Sequence, residues 1–233
     1  AQVVYYFSSA VSLGAPARKV SFTVPTGNFG DIFAGYIARR MGLPIDRLVI
    51  ATNQNDILDR ALKSGAYETN GVKASISPSM DIQVSSNFER ALFDAYGRDG
   101  AAVAALMAEM KAGGFHISQG ALEMLRGTFA SGRCSEEETV ATIKAQYAAT
   151  GEVLCPHSAV GVKVAEDHLG DSPMITLATA HPAKFPDAVE SAMGQRPALP
   201  QRMSDLFERA ERVTRVPNDL EALETLVRER IAH

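Results

Sequence analysis

The chain has 233 residues, 46% of them hydrophobic, which is enough to bury a sizeable core in one large domain or two small ones. Its formal net charge is -4, from 27 acidic against 23 basic side chains, and no tract interleaves clustered Lys and Arg with aromatics, which excludes the usual nucleic-acid footprint. No apolar run approaches the roughly 18 residues of a membrane span and the opening has no basic signal region, so a cytoplasmic protein with reduced thiols at Cys134 and Cys155 is expected.

The chain starts without Met and in mid-pattern, and it reads as a fragment. Residues 2 to 13 form a helical pattern that is mostly apolar all round, as though buried against something larger. Lys19 to Val24 reads as a strand, and Phe29 to Met41 as a helix with Ile32, Phe33, Tyr36, Ile37 and Met41 at helical spacing, stopped by Gly42-Leu-Pro44. Arg47 to Thr52 is a second strand, followed by a turn at Asn53-Gln-Asn55 and a helix from Asp56 to Lys63 that closes at Gly65. This alternation predicts an α/β fold: a parallel sheet with flanking helices, whose ligands sit at the carboxyl ends of the strands, here residues 25–30 and 52–55.

Residues 85–150 carry almost no strand signal and read as an inserted or appended helical subdomain, with helices at Asn87 to Tyr96, Gly100 to Met110, Ser118 to Phe129 and Glu136 to Ala149. Ser135 with Glu138 makes a capping box for the last of these. A helix from His157 to His168 and a strand from Met174 to Thr179 return the chain to the sheet. The expected organisation is therefore a discontinuous sheet domain (1–84 and 151–200), a helical subdomain (85–150) and a helical tail (201–233), its last helix opening with an Asn218/Glu221 box.

Val24-Pro-Thr-Gly-Asn-Phe-Gly-Asp31 is the strongest ligand signal. An apolar strand ends in two glycines just before a helix, where unpaired N–H groups and the helix dipole favour an anion. The G-x-x-G spacing is neither a dinucleotide fingerprint nor a P-loop, and a tight turn with no ligand explains the same residues. Asp31 would repel a phosphate unless its carboxylate turns away or meets a cationic or neutral partner. Thr179, in Thr176-Leu-Ala-Thr179-Ala-His181-Pro182, could present a hydroxyl to the same crevice or simply end a strand, and His181 reads as a general base or a loop residue. Ser86, Asn87 and Arg90 form a polar loop suited to an anionic substrate, although Ser86 with Glu89 also makes a capping box. Cys155-Pro-His157-Ser158 offers a thiol, an imidazole and a hydroxyl, which helix-start chemistry also explains. The five scattered histidines support no metal site.

Five co-linear motifs, Pro25-Thr-Gly-Asn-Phe-Gly-Asp-Ile32, Ser77-Pro-Ser-Met-Asp-Ile82, Ser85-Ser-Asn-Phe-Glu-Arg90, Pro156-His-Ser-Ala-Val-Gly161 and Thr179-Ala-His-Pro-Ala-Lys-Phe185, strongly resemble the threonine synthases. That family consists of fold-type-II pyridoxal 5′-phosphate lyases that convert O-phospho-L-homoserine and water to L-threonine and phosphate. The resemblance implies that Gly27, Asn28, Phe29 and Gly30, with Asp31 adjoining, hold the cofactor phosphate, and that Thr179 lies by the pyridine nitrogen. Two departures stand out: Cys155 occupies a position that is usually Asp, and the Phe-Lys-Asp-type motif that carries the Schiff-base lysine is absent, Lys184 not being its equivalent. By resemblance the chain is roughly the C-terminal half of the enzyme, without catalytic residues and inactive alone, with its own N-terminal half as partner and sheet or helix surface available for a homodimer. Rival readings are a threonine dehydratase or cysteine synthase of the same fold type, or a non-enzymatic phosphate-binding module.

Overall fold

The computed structural model describes residues 1–232. It begins with α1 (Val3–Ser12), β1 (Val20–Pro25), α2 (Gly30–Arg40), β2 (Ile45–Thr52), α3 (Ile57–Ser64) and β3 (Ala66–Glu68). A 3₁₀ turn at Pro78–Met80 leads to α4 (Phe88–Ala95), α5 (Gly100–Met110), β4 (Gly114–His116), α6 (Gln119–Thr128), β5 (Phe129–Arg133) and α7 (Glu136–Thr150). The remainder is α8 (Pro156–Glu166), β6 (Met174–Thr176), a 3₁₀ turn at Pro182–Lys184, α9 (Pro186–Met193), a 3₁₀ turn at Gln201–Met203 and α10 (Leu220–Ile231). These elements fall into two compact units, Ala1–Ala198 and a second that begins at Leu199.

In the first unit, four parallel strands lie in the order β5-β2-β1-β6. Every residue of β1 is buried, as expected for a parallel strand covered on both faces. Side chains alternate across a strand, and β2 shows the result: Leu48 and Ile50 join a core with Tyr6, Phe22 and Ile32, whereas Val49 and Ala51 join Val160 and Val164 of α8. The register pairs Pro25 with Ala51, Thr52 with Arg133 and Thr23 with Thr176, which brings the carboxyl ends of the strands to one edge. The parallel α/β architecture matches the sequence expectation.

The structure differs from the expected helical run over 85–150 in two places. Gly114–His116 pairs antiparallel with β3, and Phe129–Arg133 pairs in parallel with β2, so this segment supplies an edge strand of the main sheet. Both strands are short, and Phe-Ala-Ser-Gly-Arg has neither alternation nor β-branched enrichment to reveal it. The last strand is also shorter than expected: β6 ends at Thr176, although the Leu177 N–H still bonds the Thr23 carbonyl at 3.0 Å.

Helix ends follow local chemistry. Ser135 and Glu138 close the expected capping box, at 3.2 and 2.8 Å. The Ser86/Glu89 box does not form: α4 starts after Asn87, whose side-chain amide is drawn to the Asn28 carbonyl at 2.9 Å. In the second unit α10 is capped by Asp219, which accepts from the Ala222 N–H at 2.8 Å, and not by Asn218. Residues 2–13 also depart from the all-round apolar reading, because only Tyr6 and Ala10 of α1 are buried while Tyr5, Ser8, Ser9 and Ser12 make a polar stripe.

Candidate functional site

The loop between β1 and α2 is built to present N–H groups. Among the described residues, no protein acceptor meets the backbone N–H of Gly27, Asn28, Phe29, Gly30 or Asp31. The loop carbonyls, by contrast, are tied back: Ser85 Oγ donates to Gly27 O at 2.7 Å, and Asn87 donates to Asn28 O from both its backbone N–H, at 3.1 Å, and its side-chain amide, at 2.9 Å. With the carbonyl dipoles held away and the donors free at a helix N-terminus, the loop is a preorganised anion cradle.

Phe29 makes this geometry hold. Its backbone is left-handed, φ 65°, which costs a non-glycine residue about 1–3 kcal/mol. Its ring is almost completely buried, edge-on to Phe88 at 5.2 Å and Phe129 at 5.4 Å, so core packing pins the strained turn. Only the backbone of Phe29 can therefore serve a ligand. Gly27 is equally constrained, since a Cβ built there would lie 2.6 Å from the Ser79 carbonyl oxygen.

Asp31, in the first turn of α2, lines a cleft of about 700 Å³ between α1 and the segment after β6, together with Tyr5, Ser8, Ser9, Ser12 and Thr179 among others. Asp31 and Thr179 thus face one space. The Asp31 carboxylate accepts a hydrogen bond from the Tyr5 hydroxyl, and the Tyr6 hydroxyl donates to its backbone carbonyl at 2.8 Å. Burial pushes the Asp31 carboxyl above its usual range, opposed by the tyrosine hydrogen bonding, and burial with the adjacent Asp31 carboxylate pushes the Tyr5 phenol up. Asp31 thus has a neutral hydrogen-bond partner, one of the arrangements the sequence left open. The Thr179 backbone N–H donates to Ser158 Oγ at 3.3 Å, which fixes the exposed threonine beside the cleft.

The first turn of α8 braces both sides of this arrangement. Cys155 serves as its N-cap, with Sγ accepting the Ser158 N–H at 3.4 Å and lying 3.2 Å from Ser158 Oγ. His157 does not pair with Cys155. It is 4% exposed and its Nε2 accepts the Ser79 N–H at 3.1 Å, so the Cys/His reading gives way to helix-start chemistry. Burial first, then the nearby Lys184 charge, pulls His157 down to about 4. His181 Nδ1 accepts the Ala183 N–H at 3.2 Å and caps the Pro182–Lys184 turn.

The Ser86, Asn87 and Arg90 group is divided. Asn87 supports the β1–α2 loop, Ser86 is exposed, and the Arg90 guanidinium lies over the Phe33 ring at 5.8 Å in a separate groove with Phe93 and Asp94. Sequence reasoning missed the polar stripe on α1, which its spacing at 5, 8, 9 and 12 could have revealed, and the braces Ser85 and His157, which only tertiary contact shows. No cluster able to hold a metal ion exists among the described residues, and none of their helices is long and apolar enough to cross a membrane.

Comparison with known proteins follows the same lines. A family profile described as "Threonine synthase, C-terminal" matches residues 158–227. Threonine synthase of Pseudomonas aeruginosa is 52% identical over 231 residues, covering 97% of this chain and 49% of the relative. That of Saccharomyces cerevisiae is 41% identical over 262 residues, covering 100% and 51%. The PLP-bound threonine synthase of Brucella melitensis superposes with a TM-score of 0.92 at 60% identity, covering 98% of this chain and 50% of that one. Yeast threonine synthase gives 0.86 at 40% identity, covering 99% and 51%. The chain thus spans about half the length of the relatives it matches, and it belongs to the threonine synthase family, as a C-terminal portion.

Proposed function

We propose that the Gly27–Gly30 loop and Thr179 hold pyridoxal 5′-phosphate in an enzyme that converts O-phospho-L-homoserine and water to L-threonine and phosphate. The observation that carries this reading is the run of unpaired N–H groups at Gly27, Asn28, Phe29 and Gly30, directly before Asp31, which lines one cleft with Thr179. That donor set fits the cofactor phosphate, and the absence of a Cβ at Gly27 lets the Ser79 carbonyl back the loop closely.

Bound there, pyridoxal phosphate supplies an electron-accepting ring that holds negative charge while substrate phosphate leaves and water adds. The loop N–H groups bind the phosphate end. Ser85 and Asn87 keep the Gly27 and Asn28 carbonyls from opposing it. Tyr5 hydrogen-bonds the Asp31 carboxylate beside it. The Thr179 hydroxyl, a neutral partner for the ring nitrogen, holds that nitrogen's proton less firmly than a carboxylate would, which tempers how strongly the ring draws electrons. The Ser86 hydroxyl, which the fold leaves exposed beside Asn87, is retained in this reading as a substrate contact.

No lysine lines the cleft among the described residues, and Lys184 lies over the Phe185 ring at 5.6 Å. The Schiff-base lysine therefore belongs, in this reading, to an N-terminal half of the protein, and the 233-residue chain alone does not turn over. Incubating the full-length protein with pyridoxal phosphate and phosphohomoserine is expected to release phosphate and threonine in equal amounts, while the 233-residue chain releases neither. A stoichiometric pyridoxyl-lysine in the 233-residue chain after borohydride reduction would contradict the assignment.

A further inference from the structure

The cofactor loop is braced from behind by a group that makes no contact with the cleft. Ser79 sits in the Pro78–Met80 turn, and its carbonyl stands so near Gly27 that a Cβ there would come within 2.6 Å of it. One end of that turn is anchored through Asp81, whose carboxylate accepts from Asn53 and Asn55 at 2.8 and 2.9 Å. The Ser79 peptide itself is held by His157 Nε2. His157 is buried against the Phe185 ring at 4.6 Å, and its Nδ1 has no hydrogen-bond partner among the described residues. Leaving one nitrogen of a buried imidazole unsatisfied is costly, so an apolar side chain would serve packing better; what the imidazole adds is one acceptor at Nε2. That acceptor requires the neutral ring with its proton on Nδ1. The charged groups acting on it are Lys184, in the turn after β6, and Asp81, at the end of the Ser79 turn.

We propose that His157 is a positioning residue for the phosphate loop: by accepting the Ser79 N–H it fixes the carbonyl that backs Gly27, and so sets how firmly the loop grips an anion. This rests on the reading of the loop as the site of the cofactor phosphate. The test compares affinities for pyridoxal 5′-phosphate and for pyridoxal in the full-length protein, because their ratio isolates the phosphate's share. His157→Asn carries its amide only as far as Nδ1 and leaves Ser79 without an acceptor, whereas His157→Gln places an oxygen near the position of Nε2.

The affinity ratio is expected to fall about tenfold in His157→Asn, as for one lost hydrogen bond, and to recover to within about threefold of wild type in His157→Gln. Hydrogen exchange at the Ser79 amide is expected to accelerate in the Asn variant and not in the Gln variant. His157→Met fills the buried volume without a comparable acceptor and repeats the Asn arm should that variant not fold. A wild type that favours the phosphorylated ligand, with the same ratio in all variants, overturns the role of His157 alone. A wild type that binds both ligands equally overturns the phosphate reading and this proposal with it.

Discussion

Gly27 has no room for a side chain, and that makes it the sharpest single-residue test of the loop. In Gly27→Ala the new methyl meets the Ser79 backbone oxygen, which cannot rotate away as a flexible side chain would. Strain of about 1–3 kcal/mol then falls on the loop, and affinity for pyridoxal phosphate is expected to drop by about tenfold or more in a titration of the full-length protein. Unchanged affinity would mean that the loop is not the cradle. His157 carries a second consequence at this scale. Its folded value of about 4 lies below the ordinary imidazole range, so the unfolded chain binds more protons between the two values. The stability tied to neutral His157 is therefore complete above about pH 6.5 and is lost as pH falls towards 4, by roughly 3 kcal/mol at most. Urea unfolding of the 233-residue chain across that window is expected to show a shallower decline in His157→Gln than in wild type; parallel declines would show that His157 charges as easily folded as unfolded.

Between elements, closeness is set by small residues. A Cβ at Gly35 of α2 would lie 2.6 Å from Tyr6 Cε1 on α1 and 2.9 Å from Leu48 Cδ2 on β2, so α2 is clamped between a helix and the sheet. Gly35→Ala is expected to destabilise by about 1–3 kcal/mol in denaturant unfolding and to move α1, and with it Tyr5 and the wall of the cleft; a neutral result would show that α1 is loosely seated. Much at this scale was legible in the sequence. The β1-loop-α2 junction announces itself by an apolar run, two glycines and a helical pattern, and the Ser135/Glu138 box by its spacing. What stayed hidden was decided by partners distant in sequence. β5 exists because β2 offers an edge to Phe129–Arg133, and the Ser86/Glu89 box gives way to the bond between Asn87 and the Asn28 carbonyl. Arg90 reads as an anion fork in one dimension and as a cap on Phe33 in three.

For the whole molecule, family membership and the share of the relatives' length that the chain spans come from the same comparison. The chain aligns along nearly its full length with threonine synthases yet spans about half of theirs, and the cleft that Asp31 shares with Thr179 has no lysine among its lining residues. The first motif was readable because an apolar strand, two glycines and a helical pattern constrain residue type locally. The α1 stripe was legible as a helical spacing at 5, 8, 9 and 12, but that it lines a cleft with Thr179 is decided by the fold. The central claim, that this loop and Thr179 hold the two ends of pyridoxal phosphate, is tested most directly by a crystal structure of the full-length protein with the cofactor. The account predicts the phosphate within hydrogen-bond distance of the Gly27 to Gly30 N–H groups and the ring nitrogen beside the Thr179 hydroxyl. A phosphate bound elsewhere, with those N–H groups facing only solvent, would contradict it.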